Sequence, residues 1–183
     1  MKITQDGFDI LRQTFGKLSQ SQVDGINFLV SVLDEDTGIT RPQAAYMLAT
    51  TWHETAHTMQ PVIEYGSEKY LRSKQYYPYI GYGYVQLTWL ANYKRMGDYL
   101  KVDLVKNPKL ALQADIAARV MIVGMKNGMF TGKKLSNYIH QNHKDYIGAR
   151  RIINGTDKAE LIAGYAETFE AALYASERVA LSH

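Results

Sequence analysis

From Thr40 to His57 the chain reads TRPQAAYMLATTWHETAH, and this stretch narrows the possible folds more than any other. Thr40 suits a helix N-cap, and Pro42 falls in the first turn, where its missing N–H costs nothing. The Ala, Leu, Met and Trp residues that follow make a helix with little polar surface to offer water. The helix is expected to run through HETAH and to stop before Pro61. His53, Glu54 and His57 then stand near its C-terminal end, so a largely apolar element carries its chemistry at its tip.

Other segments repeat the helical period. Val23, Ile26, Phe28, Leu29, Val32 and Leu33 keep one apolar face as far as Gly38. Helices are also expected in WLANYKRMGDYL, from Pro108 through KLALQADIAARVMIVGM, around KLSNYIH and around DYIGARRII. In the last segment, DKAELIAGYAETFEAALYA, Leu161, Ile162, Tyr165, Phe169 and Leu173 are read as one core-facing stripe, with Glu160, Glu167 and Glu170 opposite. Between Tyr76 and Leu87 the pattern changes. Gly81, Gly83, Val85 and Leu87 alternate with Tyr82, Tyr84 and Gln86, which is the period of a strand, and the two glycines allow close packing on one face. The expected fold is therefore mainly α (α+β), a helical domain with a small β-hairpin or sheet. Its 183 residues suit a single unit, with room for two lobes around a cleft.

Composition excludes several classes. No cysteine is present, so thiolate metal sites, cysteine nucleophiles and disulfides fall away. A net charge of +3 without dense Lys/Arg stripes argues against nucleic acid, and Lys133-Lys134 and Arg150-Arg151 are read as solvated basic surface. No stretch of about 18 apolar residues is present, and the N-terminal MKITQDGFDILRQTFG lacks a continuous apolar core, so neither a membrane span nor an export signal is expected. Such a protein is expected to stay in the compartment where it is made.

HETAH admits two chemistries. It satisfies H-E-x-x-H, in which two histidines one helical turn apart hold zinc and the glutamate acts as a general base. A third ligand is needed, but the metzincin positions are Gln60 and Ile63. Glu64, Glu68 and Asp115 remain without a distinctive signature, and His57 is read instead as a helix C-terminal residue favoured by the dipole. The other chemistry takes Glu54 with Glu64. Glycoside hydrolysis without a cofactor needs one protonated carboxyl for the leaving oxygen and one ionised carboxyl for water or the sugar. Glu54 lies on the apolar helix, a setting that keeps a carboxyl protonated. Glu64 lies in the more solvated PVIEYGSEKYL segment, where Glu68 is its competitor.

Order along the chain favours the second chemistry. HET, a glutamate ten residues after the first, YIGYGYVQLTWLANY and ARRIING together resemble glycoside hydrolase family 19, a chitinase-like lysozyme fold, and in particular its bacteriophage endolysin members. The G-x-G-x-x-Q-L-[ST]-x-x-x-N-Y pattern is met by Gly81, Gly83, Gln86, Leu87, Thr88, Asn92 and Tyr93. The resemblance implies a lysozyme-like domain in which the hairpin lines the cleft. It implies inversion, with Glu54 as acid, Glu64 as base and Thr88 helping to hold the attacking water. Gln86, Asn92 and Asn154 match sugar-binding positions, with no metal and no cofactor. Tyr82 and Tyr84 would either stack on sugars or fill one face of the sheet. Family members commonly carry glycines after HET and an arginine between the two later glycines; here those residues are Ala56-His57 and Tyr82.

The expected activity is cleavage of β-1,4 bonds between N-acetylmuramic acid and N-acetylglucosamine in peptidoglycan. A monomer would be stored in the host bacterial cytoplasm and reach the wall through a membrane pore. Rival readings are a chitinase on the same fold, a zinc peptidase using His53 and His57, and a non-catalytic glycan-binding module.

Overall fold

A computed structural model describes residues 1–182, with side chains described through Glu177. Eight α-helices order it: α1 (Gln5–Phe15), α2 (Gln20–Glu35), α3 (Arg41–Glu54), α4 (Glu68–Arg72), α5 (Leu90–Leu100), α6 (Ala114–Asn127), α7 (Leu135–Tyr138) and α8 (Ala159–Ser182). Two antiparallel strand pairs accompany them, β1 (Val62–Ile63) with β2 (Tyr82–Gly83), and β3 (Ile139–His140) with β4 (His143–Lys144). The mainly helical expectation, with a small hairpin, matches this architecture.

Helix α3 is the axis. Every residue from Gln43 to Trp52 is buried, because α2, α6 and α8 pack around it. A helix closed off on all sides has no need of an amphipathic pattern, which is why its sequence is apolar all round. Its start follows the expected chemistry: Thr40 Oγ1 accepts from the Gln43 N–H at 3.3 Å, while Gln43 Oε1 accepts from the Thr40 N–H at 3.1 Å.

Its end does not. The helix stops at Glu54 rather than running through His57, since Ala56, His57 and Met59 all have positive φ. Ala56 and His57 are the two positions where the resemblance noted above implies glycine, the residue that enters this region without a Cβ penalty. Tertiary bonds hold the turn: Gln22 Nε2 donates to the His57 carbonyl and Gln60 Nε2 to that of Ser21, both at 2.8 Å.

Helix α8 lies along α3 and α1. Ile162, Phe169 and Leu173 face the core as expected, but Leu161 is exposed, one residue and 100° out of phase with them. Glu170 is not on the solvated face either. It is buried, accepting from Lys144 Nζ at 2.6 Å and from the Tyr146 hydroxyl at 2.7 Å, and so ties the β3–β4 hairpin to α8. Helix α1 and the short α4 arise where no helix was expected. The expected helix from Pro108 divides at Gln113 into a 3₁₀ segment, Pro108–Leu112, and α6. The DYIGARRII segment forms another 3₁₀ turn, Gly148–Ile152.

The alternation expected between Tyr76 and Leu87 is realised over two strand residues only. Both faces of that segment are covered, so Tyr82 and Tyr84 are buried along with Gly81, Gly83, Val85 and Leu87. Gly83 sits against the Pro108–Leu112 turn, where a Cβ would meet the Ala111 carbonyl oxygen at 2.9 Å.

Candidate active site

The last residue of α3 is Glu54, so the helix end delivers its carboxyl to the surface of the core. Glu54 Oε1 accepts from Arg150 Nη1 at 3.0 Å, and Arg150 Nε donates to the Asp157 carbonyl at 2.7 Å. Arg150 is only 3% exposed. The reading of Arg150 as solvated basic surface is thus corrected: it is an interior cation, and Arg151 alone of the pair faces solvent. The setting of Glu54 is accordingly not simply apolar. One carboxyl oxygen is engaged by a guanidinium, which leaves Oε2 as the oxygen not claimed by Arg150.

Glu64 follows β1 and faces Gly81 across the hairpin. Its N–H donates to the Gly81 carbonyl at 2.7 Å. Its side chain accepts twice, from the Tyr76 hydroxyl at 2.5 Å and from the Gly81 N–H at 3.0 Å. Acceptance at both oxygens is the bonding of an ionised carboxylate. Burial first, and then this bond, push the Tyr76 phenol up to about 12. A side chain at Gly81 would strike Gln86 Oε1 at 2.6 Å and Glu64 Cβ at 3.2 Å, so glycine is what lets these two groups approach. Glu68 lies apart on exposed α4, paired with Arg72 at 2.7 Å.

A cleft of about 370 Å³ opens beside Glu54, and Gln86, Thr88, Asn92 and Asn154 line it with that residue. Five of the residues singled out in the sequence thus converge from three separate segments, the end of α3, the stretch from Gln86 to Asn92, and Asn154. Glu64 stands outside this lining, next to it through Gln86. Thr88 does not cap α5: its hydroxyl donates to the Gln86 carbonyl at 2.9 Å, and the capping position belongs to Trp89. Asn92 Nδ2 donates to the Thr88 carbonyl at 2.9 Å, while Gln86 Nε2 braces the Val62 and Gly83 carbonyls at 3.0 and 3.2 Å. Tyr82 and Tyr84 are 6% and 1% exposed, so of their two readings the structure leaves the one in which they fill the sheet.

The Tyr84 hydroxyl is buried without a hydrogen-bond partner, and burial raises its phenol above the ordinary range. Tyr84→Phe is therefore expected to leave catalysis unchanged and to stabilise the fold by up to about 1 kcal/mol, measured by urea unfolding. A loss of sugar binding in that variant would return Tyr84 to the cleft.

The cleft also contains residues that sequence reasoning missed. Trp89 and Phe130 line it. Phe130 lies so close over Gly124 that a Cβ there would come within 2.2 Å of its ring. Trp89 directly follows Thr88 in the motif, a signal that was available. Nothing local marks Phe130.

The geometric premise of H-E-x-x-H is absent, because His57 lies beyond the helix with φ of 72°. Its ring stacks on Trp52, with centroids 4.4 Å apart and planes 9° from parallel. Burial first, and then neighbouring His53, lower the His57 imidazole from its ordinary value, opposite to what a charge held by a helix C-terminus would show. Among the described residues no group of three or more His, Cys, Asp or Glu side chains is placed to share a metal ion.

No protein-family model matches the chain, and no curated protein matches it in sequence. Solved structures do. A bacterial family 19 chitinase superimposes with a TM-score of 0.65 at 22% identity, over 93% of this chain and 94% of that one. Chitinase C from Streptomyces griseus HUT6037 gives 0.64 at 20% identity, over 92% of this chain and 75% of its own. A family 19, class IV chitinase from Zea mays gives 0.56 at 19% identity, over 93% and 92% of the two chains. With the helical core, the hairpin beside Glu64 and the cleft at the end of α3 all in place, the chain has the fold of the family 19 chitinases.

Proposed function

We propose that the protein is a glycoside hydrolase that cleaves β-1,4 bonds of peptidoglycan glycan strands with inversion. The observation that carries the reading is the convergence of Glu54, Gln86, Thr88, Asn92 and Asn154 on one cleft, with the Glu64 carboxylate beside it. Glu54 gives its proton through Oε2 to the leaving glycosidic oxygen as the bond from the anomeric carbon breaks. Glu64 takes a proton from a water that attacks that carbon from the opposite face. Its two hydrogen bonds leave further lone pairs for that water. Thr88 helps to hold the water, and Gln86, Asn92 and Asn154 contact sugar.

Peptidoglycan is preferred over chitin because every second sugar bears a lactyl ether and a peptide stem, which need an open cleft. Between Glu64 and β2 the chain carries the single short helix α4 (Glu68–Arg72) and no further element to close over the substrate. In this reading the protein is a phage lytic enzyme, stored in the host cytoplasm and admitted to the wall by a membrane pore. No helix among the described residues is long and apolar enough to cross a membrane. The chitinase alternative draws support from the solved structures of like fold, which are chitinases.

Digestion of purified peptidoglycan and of colloidal chitin separates the two readings. Expected are new reducing ends on peptidoglycan, little release from chitin and no new free amines. Mass analysis after borohydride reduction is expected to place N-acetylmuramic acid at the new ends. Preferential cleavage of chitin would transfer the assignment to the alternative, and free amines without reducing sugar would end the glycosidase reading.

A further inference from the structure

The rings expected to meet sugar, Tyr82 and Tyr84, are buried, yet the cleft is not without an aromatic surface. Trp89 lines it and is 51% exposed. Its backbone sits at φ of 77°, a conformation a bulky residue adopts only when its surroundings impose it. The constraint is visible. The Trp89 N–H donates to the Tyr79 carbonyl at 2.8 Å, and the Trp89 carbonyl accepts from the N–H groups of Asn92 and Tyr93 at 3.1 and 3.0 Å. The indole is therefore held on a pinned backbone at the rim of the cleft.

One side of that indole meets Tyr76. The two ring centroids are 5.1 Å apart and the planes cross at 61°, an edge-to-face contact. The hydroxyl of the same Tyr76 ring donates to Glu64 Oε1 at 2.5 Å. A chain of direct contacts thus runs from an exposed ring in the cleft, through a second ring, to the carboxylate beside it.

We propose that Trp89 is the stacking platform for a pyranose ring in the cleft, and that Tyr76 is a positioning residue that fixes the Glu64 carboxylate relative to that platform. A pyranose presents axial C–H bonds on its faces, and these pack on the electron-rich face of an indole, while the sugar hydroxyls at the ring edge remain free for Asn92, Gln86 and Asn154. A sugar seated on Trp89 is then registered against the base through a single intervening ring. This inference rests on the reading of Glu64 as the base.

The sequence contains two tryptophans, Trp52 and Trp89, and Trp52 is 3% exposed, so a change in intrinsic fluorescence on binding reports Trp89. The probe is the β-1,4-linked tetrasaccharide of N-acetylglucosamine, titrated into Glu54→Gln so that nothing is hydrolysed. A saturable blue shift with protection from acrylamide is expected, and Trp89→Ala in the same background should bind on the order of tenfold more weakly by calorimetry. In the active enzyme, Trp89→Ala is expected to raise KM with a smaller effect on kcat. Tyr76→Phe keeps the ring contact and loses only the hydroxyl, so kcat should fall about tenfold with KM and melting temperature unchanged. Unshifted fluorescence with tetrasaccharide bound, or equal affinity in Trp89→Ala, overturns the platform; wild-type kcat in Tyr76→Phe overturns the positioning role. Absence of hydrolysis by the wild-type protein would defeat the proposed function instead, and the titration of Glu54→Gln is read independently of it.

Discussion

Glu54→Gln is expected to lower the rate of glycan cleavage by about 10² to 10⁴ while leaving the fold intact, the range typical of a lost general acid. The amide has the shape of the carboxyl, and its oxygen can still accept from Arg150 Nη1, whose bond to Oε1 is 3.0 Å in the native protein. What disappears is the acidic proton for the leaving oxygen. Reducing ends released from peptidoglycan measure the loss, and circular dichroism with the melting temperature measures what is retained. Activity within threefold of wild type would remove Glu54 from the role. So would lysis that a chelator abolishes and zinc restores, which would revive the peptidase reading despite the turned helix end at His57.

The second large effect is expected at Arg150. Its guanidinium is buried, and its two partners, the Glu54 carboxyl and the Asp157 carbonyl, lie on either side of it. Arg150→Ala takes away one member of a buried pair and leaves the other without compensation, a change that costs about 3 kcal/mol or more. Glu54 keeps 19% of its side-chain exposure and can hold its proton, so little charge is left unpaired and the lower end of the usual range applies. Activity should fall as well, because nothing then fixes the Glu54 rotamer. Arg150→Lys should recover part of the stability and little of the activity, since one ammonium does not reproduce the planar fork that serves both partners. Urea unfolding and initial rates on the same samples test this. Destabilisation below about 1 kcal/mol would show that the pair is solvated and does not order the site.

These two residues also mark how far the sequence could be read. Glu54 was legible because an apolar run, a capped start and a carboxyl near its end are local facts. The motif from Gly81 to Tyr93 was legible for the same reason: glycine is required where the backbone allows no Cβ, and a Cβ at Gly81 would indeed strike Gln86 and approach Glu64. Arg150 was misread. Nothing in ARRIING distinguishes the arginine that turns inward from the one that faces solvent, because a 3₁₀ turn of five residues has no long period to reveal its faces.

Local sequence, by itself, determined that this chain is mainly helical, that one helix is apolar nearly all round, that a glycine-bearing hairpin interrupts the helices, and that Glu54 stands near the C-terminal end of that apolar helix. Those features depend on propensity, capping and spacing within a few residues. Tertiary structure alone decided that α3 stops at Glu54, where bonds from Gln22 and Gln60 hold the turn, and that Tyr82 and Tyr84 are core while Trp89 stands in the cleft. It alone paired Glu54 with an arginine 96 positions away. Burial and ion pairing depend on which distant surfaces exclude water from a group, and a period of two or 3.6 residues carries no record of what covers the other face.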